Sequence, residues 1–341
     1  MRRLKIKNKL KRSLIFLTFI YAFCAFIICF VVISRLNASI VTHNISQVND
    51  ANSKASLKEV PNFTMDNVPN GAIDISFSYD DKYCTYLYNS GIYVKEIGTN
   101  KLIKKISERS GIRKSILMGN RNIIMYFCIL NNKLKVKTYN IENGLITEQK
   151  SFAVPKNSAI KSVDYSSATN LIFINLEQIS GNNKIDSIYY LNIMKNVRRI
   201  YPGHRVNNML LANNSLALYF EDNNNNLYCH SKPILGVKRA HIIGCDSSDN
   251  VYARSLDNKS IIYVVNNNNL IKIRRLNDLN FVGFYTNKNN VYVIYKNYII
   301  NLTSNNARLT YNNDLRFIGM GGLNVYFKDS NDHIVGLKRT I

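Results

Sequence analysis

The stretch Phe77-Ser-Tyr-Asp-Asp-Lys-Tyr-Cys-Thr-Tyr-Leu-Tyr88, FSYDDKYCTYLY, sets a charged, polar turn before a run of alternating aromatics. Alternation over a few residues marks a strand, and Ser, Asp and Asn clusters mark the turns between strands. The phrase returns down the chain in weaker form. Asp249-Asn-Val-Tyr252, Asn289-Asn-Val-Tyr292 and Leu323-Asn-Val-Tyr326 each follow an apolar strand and a short polar turn. AIDISFSYDDKYCTYLY, SILMGNRNIIMYFCILN, IKSVDYSSATNLIFINLE and NNMLLANNSLALYFED fit the same frame. A third strand (SGIYVKEI, NNLYCHSK, KSIIYVV) and a fourth (NKLIKKI, KNVRRIY, NLIKIRR) usually follow.

The pattern makes about seven units of roughly 35–48 residues, each with four strands. A unit of that size cannot bury both sheet faces alone, and radial stacking on its neighbours does so. The sequence therefore predicts an all-β, about seven-bladed β-propeller of four-stranded blades, over residues 61–341. FSYDDKYCTYLY is then the hairpin from the innermost to the second strand of a blade. The last unit, Leu315 to Ile341, has room for three strands, and Glu59 to Met65 is placed to supply the fourth. Such closure leaves no open sheet edge between the first and last units.

The hairpin resembles the F-S-P-D-G-K-x-hydrophobic-A-Y element of TolB-like and dipeptidyl-peptidase-type propellers. Phe77, Ser78, Asp80, Lys82 and Tyr86 match, while Tyr79, Asp81 and Thr85 stand where that pattern has Pro, Gly and Ala. The resemblance is best in the first unit, and it implies a fold and no activity. The chain has no Trp, so it is not a tryptophan–aspartate repeat array.

Ahead of the repeats lie three segments of different character. Residues 1–12 carry seven Lys or Arg and no acid, and Ser13 to Ser34 carry no charge. At about 1.5 Å per residue the uncharged run spans a ~30 Å hydrocarbon core. The expected organisation is a cytoplasmic basic tail (1–12), a transmembrane helix (13–34), a Ser/Asn-rich stalk (35–60) and an extracytoplasmic domain. A cleaved signal peptide is the rival. Its apolar core is shorter, about 7–15 residues, and ends at small residues, whereas this one ends Val-Val-Ile-Ser-Arg35.

Catalytic and metal signatures are sparse. Cys24 and Cys29 fall in the apolar span, and Cys84, Cys128, Cys229 and Cys245 in strand-like runs without a paired spacing. Cys84 and Cys128 look equivalent, each in the second strand of its unit. Cys229 and His230 are adjacent and point to opposite faces of a strand. His241 and Cys245 share a face in an unbroken strand but lie ~13 Å apart, too far for one metal ion. Tyr79-Asp80-Asp81, Asp246-Ser-Ser-Asp249 and Asp329-Ser-Asn-Asp332 lack the calcium-loop spacing and suit hairpin turns. Gly319-Met-Gly-Gly322 has no following helix and reads as a turn rather than a phosphate loop. No G-x-S-x-G occurs among these 341 residues. No metal, cofactor or catalytic residue is expected, and the chain reads as a non-enzyme.

One feature follows the blades. The formal net charge is +23. Basic pairs sit in or just after the outer strands: Lys104-Lys105, Arg198-Arg199, Lys238-Arg239 and Arg274-Arg275, joined by Lys338-Arg339, Arg113-Lys114 and Arg205. Beyond Arg35 there are 37 basic and 22 acidic residues, a difference of +15. A basic rim would attract an anionic polymer or lipid surface. The plainer account is solvated outer strands in a chain whose Lys, Asn and Ile usage reflects AT-rich codons. Outside a bacterial membrane the partner would be teichoic acid, lipid headgroups or a protein, not nucleic acid. The sequence thus points to a membrane-anchored binding or scaffold module of the cell envelope. The alternative is an envelope hydrolase or lyase with its site at the channel, and a His–acid pair or two carboxylates at the channel mouth would favour it.

Overall fold

Each Val-Tyr pair divides its side chains between two neighbours. Val251, Val291 and Val325 are fully buried and pack backward, into cores shared with the preceding sheet. Tyr252, Tyr292 and Tyr326 pack forward, into cores shared with the next. Successive side chains of a strand point to opposite faces, so a sheet buried on both sides needs apolar residues at both parities.

The computed structural model describes residues 55–56, 63–65, 68–180, 183–192, 194–200, 205–287, 289–304 and 308–338. The tail, the expected transmembrane span and most of the stalk lie outside them. The chain divides into two units, Met1–Ser53 and Lys54–Ile341, and every described residue belongs to the second. These residues form strands and turns only, and among them no helix is long and apolar enough to cross a membrane.

The strands make seven four-stranded antiparallel meanders: a seven-bladed β-propeller. Blades one to six cover residues 73–107, 114–153, 158–200, 206–233, 240–275 and 281–310. Blade seven takes three strands from 316–338 and its outermost from the N-terminal side. Phe63–Met65 pairs antiparallel with Ile334–Lys338, with Met65 opposite Ile334. The last unit is thereby completed by the segment ahead of the first. Met65 is buried in the core shared by blades seven and one. A second pairing has no announcement in the sequence: Ala55–Ser56 adds a parallel strand outside Arg308–Thr310 of blade six. The described residues form seven hydrophobic cores, each straddling two adjacent blades, so each blade buries its apolar faces against its neighbours.

Antiparallel order gives the ring two unlike faces. On the hairpin face lie the turns between first and second strands and between third and fourth. On the crossover face each outer strand passes to the next inner strand, beside the turns between second and third strands.

The hairpin face is tied into a closed belt. Asp80 accepts from Asn122 Nδ2 at 3.0 Å, and Gly119 N–H donates to Tyr165 Oη at 2.8 Å. Ser166 Oγ donates to the Asn213 carbonyl at 2.5 Å, and Asn213 Nδ2 to the Asp246 carbonyl at 2.9 Å. Ser247 N–H reaches the Asn289 carbonyl at 3.3 Å, and Tyr285 Oη the Met320 carbonyl at 3.2 Å. Leu323 N–H then donates to Asp81 at 2.6 Å, closing blade seven on blade one.

FSYDDKY shows why these letters are needed. Ser78 Oγ donates to Asp80 at 2.7 Å and accepts the N–H groups of Lys82 and Tyr83 at 3.0 and 2.9 Å. Asp81 has φ 57°, a left-handed conformation that Asp and Asn tolerate better than other side chains, so it replaces Gly here. Opposite it, a Cβ on Gly322 would overlap the Tyr79 carbonyl, and one on Gly321 would overlap Asp81. Of the Gly319-Met-Gly-Gly322 run expected as a turn, Gly319 and Met320 end the inner strand Arg316–Met320, and only Gly321 and Gly322 lie in the turn, where they admit the neighbouring blade.

Six inner strands share an irregularity. The register with the second strand shifts at Ile73/Ser76, Ile160/Ser162, Val206/Asn208, Ile242/Gly244, Phe281/Gly283 and Phe317/Gly319. Such bulges reverse the period-two count. His241 and Cys245, expected on one face, pair with Arg254 and Val251, and the bulge between them puts them on opposite faces.

Candidate functional site

The eight cations singled out in the sequence lie where the strand reading put them. Lys104 and Lys105 are in Leu102–Ser107, the outer strand of blade one. Arg198 and Arg199 are in Val197–Ile200 of blade three, and Arg274 and Arg275 in Asn269–Arg275 of blade five. Lys238 and Arg239 lie in the connection from blade four to blade five. Their environments differ. Lys104, Lys105, Arg198, Lys238 and Arg275 are exposed, and no carboxylate pairs with them among the described residues. Lys105 lies 5.3 Å from the Tyr93 ring centroid. Arg199 donates to Ser187 Oγ at 2.7 Å and lies over the Tyr189 ring. Arg239 pairs with Asp257 at 3.3 Å, and Arg274 is half-buried.

Two further members of the expected rim are not on it. Lys114 opens the inner strand of blade two and pairs with Asp74 of blade one at 2.5 Å. Arg205 precedes the inner strand of blade four and pairs with Glu177 of blade three at 2.7 Å. Both hold blades together near the channel. Lys338 ends the third strand of blade seven, and Arg339 lies outside the described residues.

The channel mouth on the crossover face carries ionisable groups that the sequence left apart. Glu221 is the penultimate residue of the second strand of blade four (Leu218–Asp222), and His241 is the second residue of the inner strand of blade five (Ala240–Cys245). Glu221 is 1% exposed, and its carboxylate meets His241 Nδ1 at 3.1 Å and the Ile242 N–H at 2.5 Å. Asn208 Nδ2 adds a third contact at 3.3 Å. The bond to Glu221 raises the His241 pKa, against burial and the Arg254 charge, which lower it. Nδ1 is thus committed, and the half-exposed ring is left with Nε2 for other contacts. The pair can hold or move a proton at that nitrogen. Arg254, opposite His241 in register, lies over the Phe281 and Phe284 rings at 5.4 and 5.8 Å. Between blades three and four, Glu177 and Asp186 converge on Arg205 at 2.7 and 3.8 Å. These pairs join residues 19–28 apart in the chain, and only the blade count could have brought them together.

The other candidates are occupied by local structure. Asp246 accepts the N–H groups of Ser248 and Asn250, and Asp249 those of Asn214 and Ser215 in blade four. Asp329 accepts the N–H groups of Asn331 and His333 at 2.9 Å. The described cysteines Cys84, Cys128, Cys229 and Cys245 are buried free thiols, and burial pushes the Cys84 pKa up to about 12. Cys84 and Cys128 are not equivalent. Cys84 sits beside the hairpin opposite Phe77, where blade two has Ile124 opposite Leu117. Among the described residues no three His, Cys, Asp or Glu side chains group so as to hold a metal ion.

No family model matches the chain, and no curated protein is significantly similar to it. Among solved structures, Sqt1 of Saccharomyces cerevisiae is similar at 12% identity, over 78% of this chain and 83% of that one, with a TM-score of 0.49. The Dos1 propeller is similar at 10% identity, over 79% and 78%, with a TM-score of 0.49. Dihydro-heme d1 dehydrogenase NirN, in complex with DHE, is similar at 8% identity, over 78% and 66%, with a TM-score of 0.48. Likeness at this level concerns the fold alone and assigns neither partner nor activity.

Proposed function

We propose that the chain is a single-pass, membrane-anchored propeller that serves as a non-catalytic binding module of the cell envelope, with an anionic polymer or surface as partner. The observation that carries this reading is the set of exposed cations in and just after the outer strands. Lys104, Lys105, Arg198, Lys238 and Arg275 keep their charge open to solvent, while Lys114 and Arg205 neutralise acids inside the ring. A ring of cations at several blades attracts a polyanion more strongly than any single exposed charge, each worth about 1 kcal/mol or less. The anchor follows from the uncharged run 13–34 behind a basic tail. The test combines topology and binding. A C-terminal reporter should be accessible from outside the cell, and the protein should remain in the membrane fraction. It should co-sediment with walls bearing teichoic acid and not with walls stripped of it. Release of a form lacking the first residues to about 35, or equal sedimentation with stripped walls, contradicts the reading.

A second reading has its own observation. The Glu221–His241 pair at the channel mouth is the feature that favours a hydrolase or lyase. Release of reducing ends from purified envelope polymer, lost in His241→Gln, would establish it in place of the first.

A further inference from the structure

The inner strands of blades six and seven approach each other less closely than those of most neighbouring blades. A cleft of about 390 Å³ opens there on the crossover face. Its floor is apolar, with Phe284, Tyr311 and Phe317 among its lining residues. The bulge in blade six leaves Val282 without a cross-strand partner, and the residue is 69% exposed. Lys296 and Arg316 line the same cleft, both exposed and paired with no carboxylate among the described residues. Asp314 also lines it, and the net charge of the lining is positive.

We propose that this cleft binds an extended peptide segment, seating one bulky apolar side chain on the floor and flanking Asp or Glu residues on Lys296 and Arg316. Three observations select that occupant. The volume is near the low end of the ~300–1,000 Å³ of small-ligand sites, which suits one or two side chains rather than a long acyl chain. Two unpaired cations beside an apolar floor call for acidic flanks. A bulged strand with an unpartnered residue offers its backbone to an extended chain. The proposal rests on the binding-module reading but uses none of the outer-strand cations, so failure of polymer binding leaves it standing.

Gly283 gives the test. A Cβ there meets nothing within 4 Å, and its φ lies outside the left-handed region. Gly283→Leu should therefore fill the cleft without disturbing the fold. The full-length chain in neutral detergent is used to select from a displayed random-peptide library. Selected peptides should share a bulky apolar residue flanked by Asp or Glu, and should lose about tenfold or more in affinity for Gly283→Leu at unchanged Tm. The double variant Lys296→Glu/Arg316→Glu should select Lys or Arg flanks instead. Peptides that bind Gly283→Leu as tightly as the parent, or flanks indifferent to the charge reversal, overturn the proposal. Saturable binding of laurate with no peptide selected assigns the cleft to acyl chains and overturns it as well.

Discussion

Asp81→Ala should unlatch the ring where blade seven meets blade one. The Asp81 carboxylate accepts the Leu323 N–H at 2.6 Å and the Tyr326 hydroxyl at 2.7 Å. Tyr326 is 0% exposed and stacks on Phe77 with ring centroids 3.7 Å apart. Burial, with Asp81 beside it, drives the hydroxyl pKa far up, so the group stays a donor and needs an acceptor. Removing that acceptor costs about 1–3 kcal/mol for a buried hydroxyl. Leu323 N–H is exposed and can turn to water, so its loss adds little. Ala at φ 57° adds about 1–2 kcal/mol of backbone strain. The sum is about 2–5 kcal/mol, a fall in Tm of roughly 4–20 °C at ~2–4 °C per kcal/mol, the value for domains somewhat smaller than this one. Asp81→Asn keeps an acceptor and tolerates the conformation, so it should lose less than half as much. Circular dichroism melts of Asp81→Ala, Tyr326→Phe and the double variant separate the terms. If the hydroxyl–carboxylate bond is the latch, the two changes couple by about 1–3 kcal/mol. Additivity within about 0.5 kcal/mol would refute the reasoning.

Three shorter predictions follow from the same geometry. Met65→Ala should cost about 2–5 kcal/mol, and deletion through Met65 should expose the Ile334–Lys338 edge and promote aggregation visible in size-exclusion chromatography. Gly322→Ala should destabilise about as much as Asp81→Ala, because its Cβ meets backbone rather than a movable side chain, whereas Gly98→Ala, with open space around it, should leave Tm unchanged. The raised His241 pKa means the folded state favours the protonated ring. Its stabilisation is present in full below the unfolded value of ~6.5 and is lost as pH rises through the raised folded value; His241→Gln should remove that part of the pH dependence of Tm.

The propeller was legible because each blade must bury both faces. That demand writes Val-Tyr pairs at the start of second strands and Asn or Asp at the turns, where Asp81, Asp249 and Asp332 all have positive φ. The closing strand was legible as a deficit of one strand in the last unit. Three things were not. A bulge adds one residue and no letter of its own, so His241 and Cys245 were put on one face and lie on two. The parallel strand Ala55–Ser56 is two residues long, too short for any period. Ion pairs across blades depend on the order of the ring, so Lys114 and Arg205 counted as rim charges although Asp74 and Glu177 neutralise them.

The central claim is that the outer-strand cations form a binding surface, and a salt titration tests it most directly. Affinity of the full-length protein for purified teichoic acid is measured from low to physiological salt, beside a variant with the exposed Lys104, Lys105, Arg198, Lys238 and Arg275 all replaced by Gln. The account predicts that affinity of the parent falls steeply as salt shortens the Debye length to ~8 Å. It predicts that the variant binds at least about tenfold more weakly at low salt, with a shallower slope and with Tm nearly unchanged, since exposed charges add little to stability. Equal affinity and equal slope for the two proteins would contradict it, and would leave the basic excess as a consequence of codon composition.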